Sequence, residues 1–464
     1  MNRGEAPLLA AATSVDLTPP AGLPMGGYVL RDGAVASDAH DALEANLIRI
    51  RGRSGGEVLW VTLDALAVDA ELAASVADAV ASAAGCPRDG VLVCASHTHS
   101  SAAGWMASNS PALPDTRDDA IRQRLVAQLA GAAGQLADRL EPAWPALGEG
   151  QAPAAGSNRN DPAGPHDPSV GAFGLVDEQG RLLAALIDYA CHATVLGHAN
   201  LRWSADWPGA ARRALAGALE ASAPFVTPET KPAPRAPVVA FLQGAAGDAS
   251  PRFVRRDQGF GEVDRLGGLV AAGGLAGLLT AAPSPAATPI TVLRREVAVP
   301  TRELPAADTL RDRLDQTERA WQAAQASGAP AAEERIARTR YEGAMVLQRL
   351  AASGLPPALT APIRVVVIGE GAWVHLPVEL FASLGLAIRE GSLFSWTRVI
   401  GYTDAYLGYV ADPPAHRAGV YEALASSFGP DAGEVLVGAA LDLLREAHSA
   451  HRVPAATVGA GDAR

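Results

Sequence analysis

EVLWVTLDALAVDAELAASVADAVASAAGCPRDGVLVCASHTHS, residues 57–100, contains the pattern that decides the fold class. The run EVLWVTLDAL (57–66) is typical of a buried strand, and ELAASVADAVASAAG (71–85) has its apolar residues at helical spacing. The run GVLVCASHTHS (90–100) is typical of the next strand. Apolar runs of strand length that alternate with helical patterns predict a mixed α/β fold.

The same alternation continues along the chain. A hairpin is predicted over 171–197 with its turn at DEQG, and a strand that runs into a glycine-rich loop over 237–251. A second hairpin is predicted over 362–381 with its turn at GEG, and a last helix over 432–448. We therefore predict mixed sheets flanked by helices, in a single domain that spans 1–464.

Residues 306–353 form a charged, alanine-rich pair of helical patterns that is broken near ASGAPA. We predict a helical insert here, and a hairpin on the surface is its simplest interpretation. The sequence leaves open whether this insert is a lid, a contact between subunits of a homo-oligomer, or only surface.

Composition excludes several classes of protein. The net charge of −12 argues against a nucleic-acid-binding protein, because neutralising phosphates needs a basic face. No apolar run of about 18 residues predicts a membrane span, and the apolar patch in MNRGEAPLLAAATSVDLTPP is too short for a signal peptide. Cys86, Cys94 and Cys191 are too few and too scattered for a disulfide framework. We predict a soluble cytoplasmic protein without stable membrane insertion.

Two histidines lie at the end of the predicted strand 90–100. Side chains alternate along a strand, so His97 and His99 are expected on the same side of the sheet, where the apolar run stops. Functional sites are common at strand ends. Taken alone, the pair leaves open a metal site, a proton relay and an ordinary polar end of a strand.

Further polar residues follow other apolar runs. His192 ends LLAALIDYACH, and Glu379 follows the proline of VHLPVELF, where we expect the first turn of a helix. The segment 401–423 holds four of the seven tyrosines. Each residue has an ordinary structural interpretation, including an acid favoured by the helix dipole. Taken together, two histidines, a carboxylate and a tyrosine oxygen are a donor set for which zinc is the natural ion.

The chain resembles the catalytic domain of the neutral, non-lysosomal ceramidases and the wider ceramidase-like family of bacteria. Seven segments match in order, and the combination is more specific than any one of them. They are SVDLTPPAGLPMGGY, HDALEANLIRI, ASHTHS, CHATVLGHANLRWSADWPGAARR, FLQGAAGDASP, LPVELF and GYTDAYLGYV together with RAGVYEALASSFGP.

The resemblance implies one zinc ion per chain and assigns four ligands to it. These are His97, His192, Glu379 and Tyr409. It also implies roles for four further residues. His99 would handle protons and Ser250 would be the active-site serine. Tyr421 would donate a hydrogen bond to the substrate carbonyl, and Arg159 would line the pocket. Asp64 and Asp206 match acids near the site.

The chain also departs from the family pattern. SAAGW follows the histidine motif where the family has glycine-proline, and Arg252 stands where it commonly has asparagine. We expect no counterpart here of the further β-sandwich domain of the true ceramidases. We therefore expect a soluble or short-chain substrate rather than ceramide in a membrane.

The function that follows from the resemblance is a zinc-dependent amidohydrolase that cleaves a linear N-acyl amide with metal-activated water. Tyr421 would stabilise the developing oxyanion. Two alternatives stay open. One is an esterase or lactonase acting on a small anionic metabolite, which Arg252 and Arg159 would suit. The other is a catalytically silent relative that binds a ligand in the same pocket.

Overall fold

The computed structural model describes residues 6–107, 115–221, 236–284 and 289–452. In chain order its strands are β1 (Leu8–Asp16), β2 (Asp38–Ala39), β3 (Glu44–Gly52), β4 (Glu57–Leu63), β5 (Val91–Ala95), β6 (Glu141–Gln151), β7 (Ser157–Asn158), β8 (Ser169–Val176), β9 (Leu182–Tyr189), β10 (Arg202–Trp203), β11 (Val238–Gln243), β12 (Ala249–Ser250), β13 (Thr291–Pro300), β14 (Ala358–Ile368), β15 (Gly371–His375), β16 (Glu379–Leu380), β17 (Trp396–Ile400) and β18 (Tyr409–Val410). Its α-helices are α1 (Ala70–Ala84), α2 (Asp119–Gly134), α3 (Asp206–Ala221), α4 (Phe260–Thr280), α5 (Ala307–Ala326), α6 (Ala331–Ser353), α7 (Ala382–Glu390), α8 (Pro413–Ala418), α9 (Tyr421–Ala425) and α10 (Ala432–Arg452).

The larger sheet has eight strands in the order β11-β9-β8-β6-β1-β3-β4-β5. Its outer pairs, β4 with β5 and β9 with β11, are parallel, whereas the pairs between them are antiparallel. Residues 57–100 form the unit β4–α1–β5. Helix α1 returns the chain to the start of the sheet, so that β5 can pair in parallel with β4. This mixed sheet confirms the predicted α/β class.

A second sheet of four strands, β13-β14-β15-β17, packs face to face on the first. Large aromatic side chains fill the space between them. The Trp373 ring meets the Trp60 ring edge-on at 5.5 Å and the Phe173 ring at 5.2 Å. Helices α1 to α4 cover the outer face of the large sheet, and α7 and α10 cover that of the small one. The architecture is therefore helices, sheet, sheet, helices.

Helix α4 lies unusually close to strand β6. A Cβ atom on Gly150 would lie 1.9 Å from the carbonyl oxygen of Gly273, so only glycine permits this approach. By length and composition α4 is apolar enough to cross a membrane, but 50% of its most apolar window is buried inside the protein. Its packing against α3 and the sheet is that of a core helix.

The two hairpins and the helical pair lie where the sequence predicts them. β8 pairs with β9, and β14 pairs with β15. Helices α5 and α6 pack on each other within 306–353, and α6 also packs against the short helix α9. The segment is thus attached to the element that begins at Tyr421, one of the predicted site residues.

A buried ion pair joins the end of β4 to α3. Arg212 donates two hydrogen bonds to the Asp64 carboxylate, at 2.8 and 2.6 Å, and Asp64 is 0% exposed. Asp64, which the resemblance places near the site, therefore acts in the packing of a helix on the sheet.

We expect Asp64→Ala to lower the free energy of unfolding by about 3–5 kcal/mol, since it leaves a buried guanidinium uncompensated. Urea denaturation measures the change. Asp78→Ala, which removes the acid of the exposed Arg88–Asp78 pair, is the control and should change stability little. Equal losses of stability in Asp64→Ala and Asp78→Ala would contradict the role of Asp64 in packing α3 on the sheet.

Candidate metal centre

Three imidazole rings are held by their Nδ1 atoms. The Nδ1 atoms of His97, His99 and His192 each lie 2.7 Å from a backbone carbonyl oxygen, namely those of Leu66, Gly27 and Ala246. A carbonyl oxygen can only accept a hydrogen bond, so each Nδ1 carries the proton. The neutral form of each ring therefore has its free lone pair on Nε2, where a metal ion binds.

The Nε2 atoms converge on one point together with a carboxylate. The His97 and His99 Nε2 atoms are 3.2 Å apart, and Glu379 Oε2 lies 3.3 Å from His97 Nε2 and 3.0 Å from His192 Nε2. The ligand atoms of the three histidines all lie within 4.8 Å of one another. The group could therefore hold a metal ion.

The donor set fits such an ion chemically. His192 Nε2 is buried and makes no hydrogen bond within the described part of the chain. Lone pairs of neutral imidazoles and an ionised carboxylate repel one another when they are brought this close without a proton or a cation between them. Nitrogen donors with one carboxylate suit zinc.

Burial favours the neutral form of His99 and His192. Burial lowers the pKa of His192 to about 4 and, with the charges of His97 and His192, lowers that of His99 well below its usual value. Burial by itself would raise the pKa of Glu379, but the neighbouring His97 and His192 outweigh it and hold that pKa well below its usual range. At neutral pH an ionised Glu379 carboxylate thus lies beside neutral His99 and His192 rings, which are protonation states that bind metal.

The loop after β5 positions His97 and His99, and here the sequence expectation is wrong in detail. The strand ends at Ala95, so neither histidine lies on it. His97 has φ 62°, a left-handed conformation that turns the chain and brings both rings to one side. Gly27, at φ 95°, passes so near His99 that an added Cβ would lie 2.6 Å from the His99 Cβ. That approach puts the Gly27 carbonyl within reach of the ring.

Glu379 begins the two-residue strand β16 rather than the first turn of a helix; the helix starts only at Ala382. In β16 it pairs in parallel with Tyr409 of β18. The hydroxyls of Tyr402, at 3.2 Å, and Tyr406 donate to its two carboxylate oxygens. The cluster of tyrosines is visible in the sequence, but its pattern does not indicate a role for these two residues.

The other predicted residues lie beside this cluster. The Tyr409 ring lies nearly parallel to the His192 ring at 6.4 Å and meets the Tyr421 ring at 6.0 Å. The guanidinium of Arg159 lies 5.5 Å from the centre of the Tyr409 ring. Tyr409 therefore connects the metal centre to the pair Tyr421 and Arg159.

Arg159 is held firmly in this position. Its Nε donates to Glu422 at 2.5 Å and its Nη2 to the Gly247 carbonyl at 2.8 Å. Burial would lower the pKa of Arg159, but Glu422, only 1% exposed, raises it well above its usual value. Because Glu422 neutralises Arg159, this arginine adds little net charge to the site. Glu422 lies in the segment RAGVYEALASSFGP, but its pattern gave this residue no role.

Ser250 lies in β12, which pairs with the strand that precedes Arg159. Its Oγ accepts a hydrogen bond from the backbone N–H of Arg252 at 3.3 Å. In the part of the chain that the structure describes, no histidine or carboxylate contacts this hydroxyl. The arrangement offers no base to activate Ser250 as a nucleophile.

Two acids stabilise the loops around the centre. Asp206, at φ 54°, accepts hydrogen bonds from the N–H groups of Val195 and Leu196, just after His192. Asp248 accepts from Asn158 and from Ala382 N, each at 2.7 Å, and burial raises its pKa to about 7. Asp206 is close to the site as expected from the resemblance, whereas the role of Asp248 follows only from its contacts in the folded chain.

Solved structures share this architecture. The crystal structure of neutral ceramidase from Pseudomonas aeruginosa matches 97% of this chain and 76% of its own, with a TM-score of 0.71 and 18% identity. The fold is that of the neutral ceramidases. A ceramidase complexed with C2 matches with the same TM-score and the same coverage of both chains, at 17% identity. No protein-family model and no curated protein matches this sequence.

In this ceramidase-like fold the predicted residues from separate segments meet. His97, His99, His192 and Glu379 form one cluster, with Tyr409, Tyr421 and Arg159 along one side of it. The resemblance to the neutral ceramidases is thus confirmed for the fold. The assignment of individual ligands stays a prediction.

We expect Tyr406→Phe to weaken zinc binding by about 10–100-fold, because hydrogen bonds to a ligating carboxylate orient it and stabilise its charge. Competition with a chelator measures the affinity. Tyr341→Phe is the matched control, since Tyr341 stacks on Trp321 at 5.4 Å within the helical pair. Unchanged affinity in Tyr406→Phe would show that Glu379 does not depend on this hydroxyl.

Proposed function

We propose that this chain is a zinc-dependent hydrolase of N-acyl amides, acting on soluble or short-chain substrates. The observation that carries the proposal is the convergence of the histidine Nε2 atoms on Glu379 within the fold of the neutral ceramidases. The proposed ligands are His97, His192, Glu379 and Tyr409. The cytoplasmic location remains a proposal that rests on the sequence alone.

Bound zinc would supply Lewis acidity toward the scissile carbonyl and would lower the pKa of a coordinated water toward neutrality. The chain must supply the proton transfers and the orientation of the substrate. Four residues are assigned to these tasks: His99, Tyr421, Arg159 and Ser250.

His99 is the proposed proton-handling residue. It is half-buried at the rim of the cluster, whereas His97 and His192 are each 1% exposed. Its Nδ1–H is fixed on the Gly27 carbonyl, so the Nε2 lone pair is the one that accepts a proton. A neutral ring in this position takes a proton from the attacking water and passes it to the leaving amine.

Tyr421 is the proposed donor to the carbonyl oxygen of the substrate. Burial raises the pKa of Tyr421, so its phenol keeps its proton at neutral pH and can donate. A fixed donor at the developing oxyanion contributes more than one that must reorganise. Arg159, held by Glu422, and Ser250, without a base, are proposed to position the substrate.

The test is hydrolysis of N-octanoylethanolamine and of ethyl octanoate by zinc-loaded protein, followed as release of amine or alcohol. We expect amine release that EDTA abolishes and zinc restores. A protein that cleaves only the ester would support the esterase alternative. A protein that binds no zinc and cleaves neither substrate would support the silent relative.

Variants separate the proposed roles. We expect His97→Ala and Glu379→Ala to lose both zinc and activity. His99→Ala should retain about one zinc per chain, measured by elemental analysis, while its kcat falls at least about 100-fold. Loss of zinc from His99→Ala would instead make this residue a ligand.

A further inference from the structure

Helix α6 of the helical pair lies against the elements that carry the site. Gly343 packs on α9 so closely that an added Cβ would lie 3.0 Å from Leu424 Cβ and 3.3 Å from the carbonyl oxygen of Tyr421. The charge of Glu342 acts on the Tyr421 phenol. Arg335 lies two turns before Glu342, so both project from the same face of α6. This face borders the site.

Two further arginines, Arg252 and Arg255, lie at this border within electrostatic range of Arg335. Its charge lowers the pKa of both Arg252 and Arg255. Arg252 donates from Nη1 to the Arg159 carbonyl at 2.9 Å, and Arg255 donates to the Thr194 carbonyl at 2.6 Å. The arginine triad Arg252, Arg255 and Arg335 thus comes from three separate parts of the chain.

No carboxylate is paired with the triad in the described residues. The ion pairs of the neighbourhood are already taken: Glu422 is bound to Arg159 at 2.5 Å, and Glu342 to Arg338 at 3.0 Å. The chain has 50 acids against 38 lysines and arginines, so acidic partners are not scarce. A group of three unpaired cations is therefore a specific feature of this border.

The three cations are partly desolvated, which is unfavourable for a charged group. All three side chains are half-buried. Burial, followed by the charges of Arg159, Arg335 and Arg255, lowers the pKa of Arg252 to about 10, although Glu422 opposes the shift. A cation that is partly desolvated and repelled by its neighbours is stabilised when an anion binds between them.

The triad is near the metal centre. The charges of Arg255 and Arg335 act on the Tyr28 phenol, and the Tyr28 ring lies 4.9 Å from the His99 ring. On the other side, the N–H of Arg252 is bonded to Ser250 Oγ. Arg252 is thus joined to Ser250 and Arg255 to Thr194, two residues after His192, so an anion held by these arginines would border the site.

We propose that Arg252, Arg255 and Arg335 bind an anionic group of the substrate, so that the preferred substrates are N-acyl compounds that carry a carboxylate or phosphate. The guanidinium fork binds both anions in bidentate geometry. This inference rests on the proposed amidase function and narrows its substrate class. It also gives the helical pair a role, because α6 supplies one of the three cations.

The test compares two amides of nearly the same size, N-octanoylglycine and N-octanoylethanolamine, which differ in a carboxylate against a hydroxymethyl group. We expect kcat/KM to be at least about tenfold higher for the carboxylate, with the difference mainly in KM. The O-phosphate of N-octanoylethanolamine tests the second anion. A higher kcat/KM for the neutral amide than for both anionic ones overturns the proposal.

Arg335→Gln is the decisive variant, since a half-exposed helical position tolerates glutamine. We expect it to reduce the preference for the anionic amide at least about tenfold, as one lost charge-assisted contact would. Arg340→Gln, at an exposed position of the same helix, is the matched control and should keep the preference. An equal loss of kcat/KM for both amides in Arg335→Gln would indicate a structural role and overturn the proposal.

A binding measurement distinguishes a failure of this inference from a failure of the proposed function. If zinc-loaded protein cleaves neither amide, the amidase proposal fails, and calorimetric titration with N-octanoylglycine still tests the triad. Binding that is weakened about tenfold by Arg335→Gln but not by Arg340→Gln supports the anion site. Equal binding by wild type and both variants, or no binding by any of them, overturns it.

Discussion

Three hydrogen bonds from imidazole N–H groups to backbone carbonyls determine what this site can do. Each one places the proton on Nδ1 and so directs the free lone pair of Nε2 toward Glu379. The carbonyls belong to the loops around Leu66, Gly27 and Ala246, which are themselves fixed by the large sheet and the elements packed on it. The chemistry of the cluster thus depends on backbone geometry as much as on the side chains that form it.

The carboxylate in this cluster is controlled in a different way. Glu379 accepts from two tyrosine hydroxyls and faces two imidazoles, so both of its oxygens are occupied and its orientation is fixed. Around it, the Arg159–Glu422 pair and Asp248 connect the short strands β7 and β12 to the start of α7. Each carboxylate in this arrangement has hydrogen-bond partners, and satisfied partners of this kind help a buried network to stabilise one geometry.

The alternation of apolar runs predicted the fold class, because buried strands and amphipathic helices leave direct patterns in the sequence. β4, α1, β5 and both hairpins lie where those patterns place them. The local geometry of the site was less accessible. His97 lies beyond the end of its strand and itself has a positive φ. Glu379 lies in a two-residue strand that is defined by its pairing with Tyr409. Such features depend on contacts between distant segments, which no local pattern contains.

The difference between local patterns and long-range contacts also explains why some residues of the site could be identified from the sequence and others could not. His192 and Glu379 were identified because the family resemblance assigns them a role as ligands, whereas it assigned none to other residues of the same segments. Tyr402, Tyr406, Glu422 and Asp248 act through contacts that are specific to the folded chain. The arginine triad was partly visible, because Arg252 replaces a smaller residue, but Arg159 proved to be neutralised by Glu422 and Arg335 comes from the helical pair.

The three carbonyl contacts also order the events of folding. They join residues 31, 72 and 54 positions apart in the chain, so no short segment can form even two of them by itself. Long-range contacts of this kind form late, after the entropy of closing large loops has been overcome. A nascent or partly unfolded chain therefore has histidines but no oriented lone pairs. Any metal ion that this cluster binds would therefore be bound only after these loops have closed, so its binding would distinguish folded molecules from unfolded ones.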